Sequence, residues 1–106
     1  MARRSAGTSL EVLVIDVELH LPLASNLKQK RSVVQSIVRT LDGWKGVGAA
    51  EVGFVDKWQR TRIGVTIVGG SVAHLDQVAA SVERLVWSVA DAEVVSMEQR
   101  WIEQEN

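Results

Sequence analysis

The stretch Leu10-Glu11-Val12-Leu13-Val14-Ile15-Asp16-Val17-Glu18-Leu19-His20-Leu21 decides the fold. Leu13, Ile15, Val17, Leu19 and Leu21 recur at every second position, and Asp16, Glu18 and His20 stand between them. A period of two puts the aliphatic set on one side of an extended chain and the polar set on the other. The segment reads as a strand with one buried face and one polar face. Pro22, the single proline, cannot donate to a sheet ladder and ends it.

Working outward, Asn26 followed by Gln29 has the spacing of a helix-capping box. Val34, Ile37, Val38 and Leu41 then fall at helical intervals, which predicts a helix to about Trp44, stopped by Gly43 and Gly46. Residues 47–55 read as a second strand with Ala50, Val52 and Phe54 inward, and Asp56-Lys57 as the turn after it. The third strand runs from Trp58 to Val68. Ile63, Val65 and Ile67 point to the core, and Trp58, Arg60 and Arg62 share the opposite face. Gly69-Gly70-Ser71 leads into a second helix over about 72–90, with Val72, Leu75, Val78, Val82, Leu85, Val86 and Val89 on its inner stripe. A last strand over about 93–102 places Val95, Met97 and Trp101 on one side and Ser96, Glu98 and Arg100 on the other. Trp44, Trp87 and Trp101 read as aromatics sealing the core edge.

The element order is β-α-β-β-α-β. Two helices of this size cover one face of a four-stranded sheet, and the split βαβ arrangement gives the strand order 4-1-3-2. The fold class is thus α+β, a ferredoxin-like sandwich with an antiparallel or mixed sheet and both helices on one face. Residues 1–9 read as a flexible tail containing Arg3 and Arg4, and 10–106 as a single domain.

Composition narrows the function classes. Twelve Lys and Arg against thirteen Asp and Glu give a net charge of −1, which excludes a bulk polyanion binder but leaves room for a local basic patch. With no cysteine, disulfides, thiol catalysis and Cys-based metal sites are out. The two histidines, His20 and His74, do not assemble a metal site from spacing alone. No apolar run reaches the length of a membrane span, and the opening residues lack the apolar core of a secretory signal, so a cytoplasmic protein is expected. Gly69-Gly70-Ser71 is neither a P-loop nor a dinucleotide fingerprint, and no cofactor is implied.

Several segments together resemble a known family. They are Val17-Glu18-Leu19-His20-Leu21-Pro22, Ser25-Asn26-Leu27-Lys28-Gln29-Lys30-Arg31-Ser32-Val33-Val34, Ala50-Glu51-Val52-Gly53, and Asp56-Lys57-Trp58-Gln59-Arg60 with Ile63-Gly64-Val65. They are similar to the YlxP-like family, short bacterial proteins grouped as a domain of unknown function, across about residues 10–103. The chain departs from that pattern at Leu23, where the family usually has glycine, and in its Arg-containing amino-terminal extension. The resemblance implies a ferredoxin-like fold. Through the gene neighbours of its members, it also implies a connection to ribosome maturation or translation. It carries over no catalytic residue.

The candidate sites follow from these elements. Lys28, Lys30 and Arg31 crowd the first turn of the first helix, where the dipole disfavours cations. They are either a site for a phosphate backbone or a solvated face. Trp58, Arg60 and Arg62 face Asp16, Glu18, His20 and Glu51 across the open sheet: an aromatic beside guanidinium groups can clamp RNA bases, but the acids cancel much of the field, and a ladder of ion pairs that also serves as an interface is expected. Glu18, Glu51 and His20 form the one conceivable acid–base set, but no nucleophile accompanies them, so an enzyme is not expected. The leading expectation is a non-enzymatic binding module that contacts ribosomal RNA or a ribosomal protein through Lys28, Lys30, Arg31, Arg60 and Arg62. The alternative is a homo-oligomer whose open sheet face is the dimer interface.

Overall fold

The computed structural model describes residues 9–103. The elements are β1 (Glu11–His20), α1 (Leu27–Asp42), β2 (Val47–Gly53), β3 (Arg60–Gly69), α2 (Val72–Trp87) and β4 (Glu93–Ile102). They form one sheet in the order β2-β3-β1-β4, which is the expected order read from the other edge. Every neighbouring pair is antiparallel, so the sheet is not mixed. The expected flexible tail falls, through residue 8, outside the described residues. Ser9, the first described residue, donates from its hydroxyl to the Gly70 carbonyl at 2.8 Å.

The alternation in β1 is realised without exception. Leu13, Ile15, Val17, Leu19 and the following Leu21 are at most 1% exposed, and Ile63, Val65 and Ile67 of β3 lie beside them. Both helices cover this face, α1 through Val34, Ile37 and Leu41 and α2 through Leu75, Ala79, Val82 and Val86. Each such aliphatic side chain contributes about 1.5–3 kcal/mol by leaving water. The two strands at the centre of the sheet supply most of the strand side of the core, which fixes their mutual register.

The helix ends follow local chemistry. The Asn26 side chain accepts from the Gln29 N–H at 2.9 Å. The Gln29 amide oxygen returns not to Asn26 but one residue earlier, accepting from the Ser25 N–H at 2.7 Å and its hydroxyl at 2.8 Å. Ser71 caps α2 by accepting from the His74 N–H. Gly43 ends α1 in an ordinary right-handed conformation, whereas Gly46 takes the left-handed one, φ +75°.

Four expectations about which side chains face inward are corrected, the first being Val72, which stands at the first residue of α2 and is 50% exposed. In β2 the inward set is Val47, Ala49 and Glu51, opposite Ile67, Val65 and Ile63, and Ala50 and Val52 face outward. The reading failed because it assumed that Glu51 seeks solvent, whereas the core side holds a cation for it. In β4 the register shifts where β1 passes from Glu18 to Leu19. Val94 therefore packs inward and Val95 is 56% exposed. Trp87 follows Val86 by a third of a turn, off the buried stripe, and is 66% exposed rather than sealing the core edge. Trp44 and Trp101 do pack against the core.

Candidate functional site

The face of the sheet that the helices leave bare is built from the alternate residues of each strand. Along β1 it carries Val12, Val14, Asp16, Glu18 and His20, and along β3 it carries Arg60, Arg62, Gly64, Thr66 and Val68. Ser96, Glu98, Arg100 and Ile102 continue it on β4, and Gly48, Ala50 and Val52 on β2. The face has a polar end and an apolar end because the β1 sequence changes character midway. At the apolar end Val68 and Ile102 are 45% and 41% exposed, and Val52, 53% exposed, lies beside Gly64 near the polar end.

The expected ladder exists at the polar end. Arg62 stands opposite Glu18 in the register but reaches diagonally to Asp16, with Nε and Nη2 donating to the two carboxylate oxygens at 2.8 and 2.5 Å. Arg60 pairs with Glu18 in the same diagonal sense, and its guanidinium lies 4.1 Å from the centre of the Phe54 ring. His20 Nδ1 and Glu93 Oε1 are 2.7 Å apart. The hydrogen bonds from Arg62 hold the Asp16 carboxyl below the usual value, helped by the Arg62 and Arg100 charges and opposed by partial burial. The same pairing raises the Arg62 guanidinium above its ordinary value. Arg60 and Arg62 thus each carry their own counter-charge.

Glu51 is not part of that face. It lies on the helix side, where its carboxylate meets the Lys30 ammonium at 2.7 Å and accepts from the Thr61 hydroxyl at 2.7 Å. Lys30 and Thr61 are both 0% exposed. The ammonium also donates to the carbonyls of Phe54 at 2.7 Å and Val55 at 3.0 Å. Lys30 is therefore not a surface cation: its three donors are all used inside the protein. Lys28 and Arg31 remain exposed on α1, whose first turn holds no acid. The basic turn read from the sequence is two exposed cations and one internal strut. The acid–base set also separates, because Glu51 is on the other side of the sheet from Glu18 and His20. Among the described residues no group of three His, Asp or Glu is placed to hold a metal ion.

Trp58 lies not on β3 but in the loop before it, 53% exposed. Gln59 anchors that loop, donating from its side chain to the Pro22 and Ala24 carbonyls at 3.2 Å each and accepting from the Leu21 N–H at 2.8 Å. Lys30 and Gln59 are the structural residues that the sequence reading missed. The signal for Lys30 was present: Lys30, Val34, Ile37 and Leu41 share one helical stripe, so a charge on it had to be buried with a partner.

The βαββαβ order, the wholly antiparallel sheet and the single helical layer define a ferredoxin-like α+β domain with an uncovered sheet face. Residues 12–99 match the family described as Protein of unknown function (DUF503), and the chain belongs to that family. It is also similar to the Bacillus subtilis (strain 168) protein described as "Uncharacterized protein YlxP". The two are 28% identical over 78 residues, which are 74% of this chain and 85% of that one. No helix among the described residues is long and apolar enough to cross a membrane.

Proposed function

We propose that this chain is a non-enzymatic binding module whose uncovered sheet face associates with a second copy of itself. The observation that carries the reading is the composition of that face. Its three arginines, Arg60, Arg62 and Arg100, are balanced by three acids, Asp16, Glu18 and Glu98, so it offers no excess positive field to a polyanion, and its other end exposes Val68 and Ile102. Four strands about 4.8 Å apart and up to about 33 Å long give each copy a face of roughly 600 Å². Two such faces remove roughly 1,200 Å², the lower limit of a specific interface, which suits a reversible dimer. Sedimentation velocity across two orders of magnitude in the micromolar range tests it. A shift from monomer to dimer mass is expected, abolished by Val68→Glu at the apolar end of the face and unaffected by Leu23→Glu, which is exposed away from the sheet. A monomer throughout overturns the reading.

A second reading, contact with ribosomal RNA or a ribosomal protein, draws support from Lys28 and Arg31, which have no acidic partner among the described residues. Co-sedimentation of the protein with ribosomal particles at low salt, lost in Lys28→Gln/Arg31→Gln, is its expected outcome. Replacing Lys30 does not belong in that test, because it removes an internal strut.

A further inference from the structure

The loop between β2 and β3 is held in place from both ends. At its start the buried Lys30 ammonium binds the carbonyls of Phe54 and Val55, and Lys57 closes a turn by donating its N–H to Phe54 at 2.9 Å. Phe54 sits at φ +56°, a conformation that a bulky side chain adopts only when its surroundings impose it. At its end Gln59 is bonded to residues 21, 22 and 24. Between these anchors the chain presents Asp56, Lys57 and Trp58 to solvent. They combine with His20, Gln59 and Arg60 to wall an open hollow of about 410 Å³.

The size and lining of this hollow point to a ligand. Its volume lies in the range of small-molecule sites, about 300–1,000 Å³. A half-exposed indole adds nothing to the core, yet the loop that carries it is pinned by a buried charge. A rigid loop displaying a large apolar ring is a feature of binding surfaces rather than of packing. The walls combine the Trp58 ring, the Lys57 ammonium, which has no acidic partner among the described residues, the His20 imidazole, paired with Glu93, and the Arg60 guanidinium, occupied by Glu18 and backed by Phe54. The Asp56 carboxylate is the one acid in the lining.

We infer that this hollow accepts one nucleotide unit, its base stacked on Trp58 and its phosphate held by Lys57. A flat π-face beside a mobile cation is the combination that recognises a base and a phosphate together, and stacking accepts any base. Asp56 repels a second phosphate within the hollow and accepts from the exocyclic amino group of a base. The unit is supplied either by a free mononucleotide or by a single strand, which share this chemistry. The hollow shares His20 and Arg60 with the polar end of the face proposed above to self-associate, whereas Lys57 and Trp58 lie in the loop outside that face. It shares only a class of partner with the Lys28 and Arg31 reading.

The test is titration of the full-length protein, followed by amide and indole NMR, with AMP, UMP, and single-stranded A5 and A10 RNA. The Trp58 indole resonance is assigned by its absence in Trp58→Phe. The expected result is a saturable shift of that resonance and of the residue 56–60 amides. Affinity should fall about tenfold in Trp58→Ala, the loss of one stacked base. In Lys57→Gln the log–log salt slope should fall by about one, the loss of one phosphate contact. Both side chains are exposed, and unchanged thermal unfolding of the two variants shows that the fold is intact. Equal affinity for AMP and A5 assigns the site to free nucleotides, and affinity rising with strand length assigns it to a strand. The inference is overturned if no probe moves the Trp58 resonance at millimolar concentration, or if Trp58→Ala binds like the parent. It is also overturned if RNA shifts the Lys28 and Arg31 amides and leaves Trp58 unmoved, an outcome that leaves the second reading above standing.

Discussion

Replacing Lys30 by Met keeps the aliphatic stem and deletes only the charge. On a solvated helix face such a change alters stability by less than about 0.5 kcal/mol. Here the ammonium is 0% exposed and serves three acceptors, the Glu51 carboxylate and the carbonyls of Phe54 and Val55. Removing one partner of a buried ion pair costs about 3–5 kcal/mol, because the other charge is left without compensation. Glu51 retains 17% exposure of its side chain and its bond from Thr61, which places the cost near the lower end, about 3 kcal/mol. That is a fifth to three-fifths of the roughly 5–15 kcal/mol that holds a domain together. It corresponds to a fall in melting temperature of about 12–24 °C, at roughly 4–8 °C per kcal/mol for domains near this size. The assay is urea denaturation of the parent, Lys30→Met, Glu51→Leu and the double variant. The double variant should recover about 1–2 kcal/mol relative to Lys30→Met, since no charge is then stranded. Recovery stays partial because the Phe54 and Val55 carbonyls still lack a donor. A Lys30→Met variant within about 1 kcal/mol of the parent would refute the argument, as would a double variant no better than the single one.

Gly46→Ala should lose about 2 kcal/mol or more, because φ is +75° and the added carbon would meet the Val68 carbonyl oxygen at 2.6 Å, a backbone atom that cannot swing away; thermal unfolding measures it. Gln59→Ala should lose about 1–2 kcal/mol and speed hydrogen exchange at the Leu21 amide, because the side chain that holds the 22–24 turn is gone. Asp16 ionises at a lower pH in the folded chain than its ordinary value of 3.8, so its pairing stabilises the fold fully above that value and fades as pH falls through the folded one. Asp16→Asn should thus be modestly less stable than the parent at pH 7, and the difference should vanish at the acid end. Unfolding curves at neutral and strongly acid pH test this, and a constant difference would contradict the assigned cause.

The sequence by itself determined the element order, the sheet order and the identity of both central strands. The strict alternation from Leu13 to Leu21 and from Ile63 to Ile67 leaves one register, since a slip of one residue would turn every aliphatic side chain to water. It also determined the ladder of Asp16, Glu18, Arg60 and Arg62, whose spacing places them on the bare face of neighbouring strands. Tertiary structure alone decided the rest, for two reasons. The first is that a charged residue reads as solvent-facing until its partner is known. Lys30 and Glu51 are 21 positions apart in the chain, and only the packing of α1 against the end of β2 shows that each buries the other. The second is that a one-residue bulge reverses the inside and outside of every position beyond it. The shift opposite Leu19 turns Val95 outward, and a similar shift after Glu51 ends β2 at Gly53. Trp58 therefore leaves the sheet and joins the pinned loop, where it walls the hollow with residues as distant as His20. No local pattern of hydrophobicity encodes that meeting.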